Sequence, residues 1–265
     1  MGILDEILVT KRDEVTLLHQ PQTRDAIRQA ALAAPATRDF AGALRRHDGR
    51  VAIIAELKRR SPSKGDLAPD LDAAATAMEY ERGGAAALSV LTDGPFFGGR
   101  VADLEAARAA TALPALRKDF TIAEIQLLEA RAVGADAVLL IVAALDQAAL
   151  RDLHDAASDL GLAALVETHD DAELDRALDV GAHIVGVNNR SLQSFAEDLA
   201  IAERLASRVP PGVIRVAESA VRSVADAERM AAAGFDAVLV GEALVRADDP
   251  VALCRGMAAA RVQRP

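Results

Sequence analysis

The chain has 265 residues, 51% hydrophobic but only 3% aromatic, and carries 30 Lys and Arg against 40 Asp and Glu, a formal charge of −10. That acidity argues against nucleic acid as the main partner. The single Cys254 rules out a disulfide within the chain, and no apolar run reaches membrane-spanning length. A cytoplasmic, reducing setting is expected, with Cys254 packed as a small apolar residue.

Residues 1–50 read as helices over about 3–18, 24–33 and 38–46. The first, MGILDEILVTKRDEV, is amphipathic and charged, unlike a signal peptide. Then strand and helix patterns alternate. VAIIAEL (51–57) precedes a helix over 70–82, and GAAALSVL from Gly84 precedes one over 101–111. LPALRK (113–118) leads to 121–133, GADAVLLIV from Gly134 to 146–160, and GLAALVE (161–167) to 170–180. GAHIVGV from Gly181 leads to 196–207, GVIRVAE (212–218) to 221–233, and GFDAVLV from Gly234 to 249–260. Four of these strands open on a glycine that follows an Ala-rich stretch, where a helix C-cap belongs. Those glycines recur about every 50 residues, so one βα unit repeats about every 25. The near-continuous apolar strands suit a sheet covered on both faces.

Eight such units predict an α/β fold of the (β/α)8 TIM-barrel type, with residues 1–50 as an N-terminal helical extension. One domain over 1–265 is expected, its barrel running from 51 to 265. The rival, an open doubly wound sheet, often carries Gly-x-Gly-x-x-Gly after its first strand; here KRRSPSKGD follows instead.

In a barrel of this kind the chemistry lies at the C-terminal strand ends. The odd strands end in charge: Glu56 and Lys58, Lys118, Glu167, and Glu218 followed by Ser219. The even strands end near Ser89–Thr92, Leu139–Ile141, Asn188 to Arg190, and Gly241. Glu56 and Lys58 are two apart, so both can face the axis while Leu57 faces the helices. A structural ion pair is the plainer reading of that couple. Lys118 facing inward sends Arg117 and Asp119 outward. As a cation among apolar walls it suits proton donation, anion clamping or a Schiff base. Glu167 suits an acid or base, or a simple partner for a lysine. AESAV after the seventh strand and VGEAL after the eighth suit a phosphate cup, with Glu242 pointing out and lending only its N–H. The histidines at 19, 47, 154, 169 and 183 show no metal-ligand spacing, and His169 reads as a surface or capping residue.

With these residues in place, the chain resembles the indole-3-glycerol-phosphate synthase family of tryptophan biosynthesis along nearly its whole length. The resemblance rests on ILDEILVTKRDEV, IIAELKRRSPSKGDL, LSVLTD…FFGG, LRKDF, VLLIVAAL, LVETH, GVNNRSL, VAES and VLVGEALV, in the family's order. It implies a carboxy-lyase that closes a ring in 1-(2-carboxyphenylamino)-1-deoxyribulose 5-phosphate and expels CO2 and water, with no metal and no organic cofactor. It implies Lys118 as general acid, Glu167 as the acid/base of dehydration, Glu56 and Lys58 as placing and carboxylate-holding groups, and Asn188 and Ser219 as orienting groups. It implies Phe97, Phe120 and Leu139 against the aromatic ring. Arg59, Ser61 and the backbone at Ser219, Ala220, Gly241 and Glu242 would meet the phosphate, with Glu218 among the substrate-binding residues and Arg190 as a further anion contact. The expected partner is this small phosphorylated molecule, with neither nucleic acid nor membrane. The chain is expected to act as a monomer, open to contact with other tryptophan-pathway enzymes. Two positions depart from the family: Ala220 stands where glycine is common, and Arg100 where a small polar residue is. Alanine is disfavoured at 220 if that position needs φ > 0, and serves if its N–H points to phosphate from ordinary backbone. The competing readings are another phosphate-binding barrel enzyme, an isomerase or Schiff-base aldolase, and a non-catalytic anion-binding barrel.

Overall fold

Gly84 and Gly234 each stand just past a helix end at φ +85° and +88°, a left-handed turn that a Cβ disfavours. From there the chain drops straight into a strand, and the same turn recurs at Gly134 and Gly181. The computed structural model describes residues 2–45, 48–190 and 196–262. Arg46 of the third expected helix, His47, and Ser191 and Leu192 of GVNNRSL lie outside the described residues.

Three helices come first: α1 (Ile3–Leu18), α2 (Pro21–Ala33) and α3 (Phe40–Leu44). Strand β1 (Ala52–Leu57) opens the barrel, and a two-residue hairpin, β2 (Arg60–Ser61) with β3 (Gly65–Asp66), stands on its exit loop. Then come α4 (Ala73–Arg82), β4 (Ala87–Leu91), α5 (Gly94–Phe97), α6 (Val101–Ala110), β5 (Ala115–Lys118), α7 (Glu124–Ala132) and β6 (Ala137–Ile141). They are followed by α8 (Gln147–Asp159), β7 (Ala163–Thr168), α9 (Asp171–Asp179), β8 (Ile184–Asn188), α10 (Ala200–Ala206) and β9 (Ile214–Glu218). The series ends with α11 (Val224–Ala232), β10 (Ala237–Val240), α12 (Glu242–Val245) and α13 (Pro250–Ala258). Strands β1 and β4 to β10 pair in parallel and close on themselves, β10 bonding to β1. This is the TIM barrel expected from the repeat, preceded by its helical extension. No described helix is long and apolar enough to cross a membrane.

Alternation along each strand decides what faces the axis. On β1, Ile53, Ala55 and Leu57 pack toward the helices, whereas Ala52 and Ile54 belong to the interior cluster. Leu116, Leu139, Leu165, Val216 and Leu239 join them inside. Nearest the N-terminal strand ends the interior holds four alanines, Ala52, Ala87, Ala137 and Ala237, beside Ile184 and Ile214. Phe40 and Leu44 of α3 fill that space, 1% and 0% exposed. The extension therefore plugs the bottom of the barrel with α3. Cys254 is buried beside Gly83, as expected for a packed thiol.

Candidate active site

One step beyond the apolar interior layer, the same alternation turns acids and a lysine onto the axis. Glu56 follows Ile54, Lys118 follows Leu116, Glu167 follows Leu165, and Glu218 follows Val216. Glu56 is 2% exposed; its Oε2 accepts from Ser89 Oγ at 3.1 Å, and its Oε1 pairs with Lys58. Glu56 and Lys58 thus face the same way, as their spacing predicts. Lys118 Nζ lies 3.1 Å from Glu167 Oε2 and 3.3 Å from Glu218 Oε2. Asn188 Nδ2 donates to Glu167 Oε1 at 3.0 Å. Two glycines make this packing feasible. A Cβ at Gly186 would lie 2.0 Å from Glu218 Oε1, and one at Gly241 would lie 2.5 Å from Glu56 Oε1.

Burial on its own lowers the pKa of Lys118, but Glu167, Glu218 and Glu56 outweigh it and hold the ammonium above its ordinary range. Burial likewise pushes both glutamates up, and they share one lysine. Glu167 is brought down by Lys118, His169 and the Asn188 bond. Glu218 stays raised, because its burial and the charge of Glu167 outweigh Lys118. The site therefore holds Lys118 as a cation, Glu167 as an anion, and a proton on Glu218 near neutral pH.

Arg117 and Asp119 face away from Lys118, as alternation requires. Arg117 pairs with Glu129 at 2.6 Å. Asp119 belongs to a node around Lys11 of α1, which is 1% exposed. Lys11 Nζ reaches Glu14 at 2.8 Å, and Asp93 and Asp119 at 2.9 Å each. Asp93 Oδ1 accepts from Phe96 N and Phe97 N, and Asp119 Oδ1 from Phe120 N. One buried ammonium thus ties α1 to the two loops that carry Phe97 and Phe120. Their ring centroids are 6.0 Å apart, at 38°. With Leu139, and with Ile3, Leu4 and Ile7 of α1, these rings form the apolar wall of a cavity of about 160 Å³. Lys58, Lys118, Glu167 and Glu218 line its other side.

The far end of the cavity is polar. Ser219, Ala220, Gly241 and Glu242 line it, and Glu242 leans toward Arg246 at 3.7 Å, outward as expected. Ser219 and Ala220 both sit at φ +63°, so position 220 does need the left-handed region that alanine disfavours. Ala220→Gly is expected to raise stability by about 1 kcal/mol, because strain at Ala220 exceeds the entropy cost of glycine. The check is a higher urea midpoint at unchanged slope.

Arg190 also lines the cavity; it donates to Ser63 Oγ at 2.8 Å and pairs with Glu197, which pairs in turn with Arg222. Two expected anion contacts are elsewhere. Arg59 forms a two-pronged pair with Asp103 and donates to Leu71 O at 2.6 Å, so it holds the β1 exit loop to α6. Ser61 is 4% exposed and lies off the cavity, which Pro62 and Ser63 line in its place. The β2–β3 hairpin is the reason: past Leu57 the chain leaves the barrel, and strand alternation no longer says which way a side chain points. Arg60 donates to Phe96 O at 3.3 Å. Arg100, the other departure, is an exposed N-cap of α6. Among the described residues no cluster of three or more His, Cys, Asp or Glu is arranged to hold a metal ion.

Comparison with known proteins places this geometry. The sequence profile described as "Indole-3-glycerol phosphate synthase" matches residues 4–257. The chain is 52% identical over 252 residues to the indole-3-glycerol phosphate synthase of Aromatoleum aromaticum, covering 94% of this chain and 95% of that one. It is 51% identical to that of Parafrankia sp., covering 94% and 92%. Among solved structures, Mycobacterium tuberculosis tryptophan synthase superposes with a TM-score of 0.65 at 20% identity, over 86% of this chain and 100% of that one. The 3-hexulose-6-phosphate synthase of Salmonella typhimurium gives 0.64 at 18%, over 78% and 97%. At those identities the structures attest the barrel alone. The profile and the close relatives attest more: the chain belongs to the indole-3-glycerol phosphate synthase family.

Proposed function

We propose that the barrel closes the indole ring of 1-(2-carboxyphenylamino)-1-deoxyribulose 5-phosphate with Lys118 as general acid and Glu167 as the acid/base of the later steps. The observation that carries this is Lys118 set between the buried Glu167 and Glu218, facing an apolar wall that suits an aromatic ring. Phe97, Phe120 and Leu139 would flank that ring. Lys58, oriented by Glu56, would hold its carboxylate. The phosphate would sit at the opposite end, against the backbone of Ser219, Ala220, Gly241 and Glu242, with Arg190 as a further anion contact.

In the first step the ring carbon bearing the carboxylate attacks the C2′ carbonyl. Charge grows on the carbonyl oxygen, and an ammonium placed there stabilises it and delivers a proton. The bond to the carboxylate then breaks; CO2 leaves and its electron pair stays with the ring system. Finally the new hydroxyl departs as water. An acid must protonate it and a base must take the remaining proton, which suits Glu167 with Asn188 fixing its orientation. Glu218 without its charge lets Lys118 serve the substrate rather than a second anion. A Schiff-base lysine needs a neutral amine, and the raised Lys118 argues against that reading. The same reading puts the enzyme in the cytoplasm, acting as a monomer on a small phosphorylated molecule.

The test supplies the anilino-ribulose phosphate and follows the fluorescence of the indole product. Wild type is expected to turn over, and Glu167→Gln to lose about 10²–10⁴-fold in kcat. A wild type without turnover would sink the function; a Glu167→Gln variant at full rate would sink the role of Glu167.

A further inference from the structure

His169 is the residue after β7 ends, and it does not line the cavity. Its backbone N–H donates to Glu173 Oε2 at 2.8 Å, and its Nδ1 lies 3.0 Å from the same oxygen. A carboxylate only accepts, so Nδ1 carries a hydrogen and the ring is fixed from the α9 side. That leaves Nε2 buried, without a hydrogen-bond partner, and 3.5 Å from Glu167 Oε1. A neutral ring would aim a lone pair at a carboxylate there; an imidazolium aims an N–H.

The counter-charges of Glu167 show why this matters. In the free protein, Oε2 faces the Lys118 ammonium and Oε1 takes the Asn188 amide. The Lys118 ammonium is also the group that has to turn toward the substrate's carbonyl oxygen. While it does, Glu167 keeps a buried negative charge with one neutral donor. His169 lies off the cavity and is held by Glu173, so its charge stays put through the cycle.

We propose that His169 is a positioning residue: its imidazolium, anchored by Glu173, holds the Glu167 carboxylate in place and balances it while Lys118 serves the substrate. This rests on the reading of Glu167 as the acid/base group. The groups facing His169 agree on the sign. Burial on its own would lower its pKa, but the Glu173 bond and the charges of Glu167 and Glu173 raise it. Glu167 comes from β7 and Glu173 from α9, and Glu218 of β9 adds to them only when it gives up its proton.

The experiment pairs kinetics with direct titration. His169→Gln keeps an amide donor but no charge, and Glu173→Gln frees the ring. Both are expected to lower kcat about tenfold with KM within about twofold. Both should also move the acidic limb of the kcat profile up by about one pH unit, since a carboxylate that loses a nearby cation binds its proton more tightly. In NMR, the His169 imidazole, identified by the signal missing in His169→Gln, should titrate above 6.5 in wild type and lower in Glu167→Gln. Two outcomes overturn the proposal. One is a His169→Gln variant less stable to urea but with the wild-type pH profile, which means a purely structural role. The other is a His169 titration that ignores Glu167→Gln. The underlying reading fails separately: Glu167→Gln itself at full rate refutes the role of Glu167, whereas an inactive Glu167→Gln beside a fully active His169→Gln refutes His169 alone.

Discussion

Lys118→Ala is expected to lower kcat by about 10²–10⁴-fold while KM changes far less. The ammonium acts on charge that exists only as the carbonyl oxygen becomes an alkoxide. Its loss therefore falls on the transition state, not on binding. Stability moves too. Glu167 and Glu218 are 2% and 1% exposed, and without the lysine they face each other with no cation between them. Glu167 is then left with His169 as its charged neighbour, so the variant weakens its base as it loses its acid. Lys118→Arg separates the two effects. It restores a cation and the fold, but a guanidinium does not release a proton near neutral pH. Initial rates from indole fluorescence, with urea unfolding of both variants, measure the split. Normal turnover in Lys118→Ala sinks the assignment.

Lys11→Met should be the most damaging change outside the cavity, at about 3–5 kcal/mol of stability. Methionine fills the space of the stem but leaves the buried Asp93 without the Lys11 ammonium and Asp119 with Arg117 alone. Lys11 is raised above its ordinary 10.5 by these acids despite its burial, and Asp119 is lowered below 3.8, again against the effect of burial, by Arg117 and Lys11. The lysine's contribution is complete below 10.5 and fades as pH rises through its raised value. The aspartate's is complete above 3.8 and fades as pH falls through its lowered one. Between those limits the loss in Lys11→Met should be independent of pH. Urea unfolding across that range tests it, and a midpoint unchanged from wild type would show that the node carries no stability.

The barrel was legible because its signals are local. Glycine after an Ala-rich stretch marked where helices stop, and period-two alternation placed Glu56, Lys58, Lys118 and Glu167 on one mouth. Legibility ended where local signals end. Arg59 was placed at the phosphate by the family resemblance, and nothing local in sequence shows that its partner is Asp103 on α6. Lys11 read as one more charge on an amphipathic helix, because nothing near it in sequence announces Asp93 and Asp119. His169 read as a surface or capping residue. A clue was present in Glu173 four residues on, but the tie to Glu167 depends on how the chain turns between β7 and α9. Ala220 was flagged correctly as a question, and only the backbone dihedral could answer it.

The glycines facing the buried acids have a consequence for how this site can change over generations. At Gly186 any side chain would collide with the Glu218 carboxylate, and at Gly241 with that of Glu56. A new side chain at either position has no room unless the acid shortens or moves. A shorter acid beside the glycine leaves a void and pulls charge away from Lys118. Each step alone is costly and only the double step restores packing, so the energies of the two changes do not add. Gly186 with Glu218, and Gly241 with Glu56, should therefore vary as pairs among descendants of this sequence, or not vary at all.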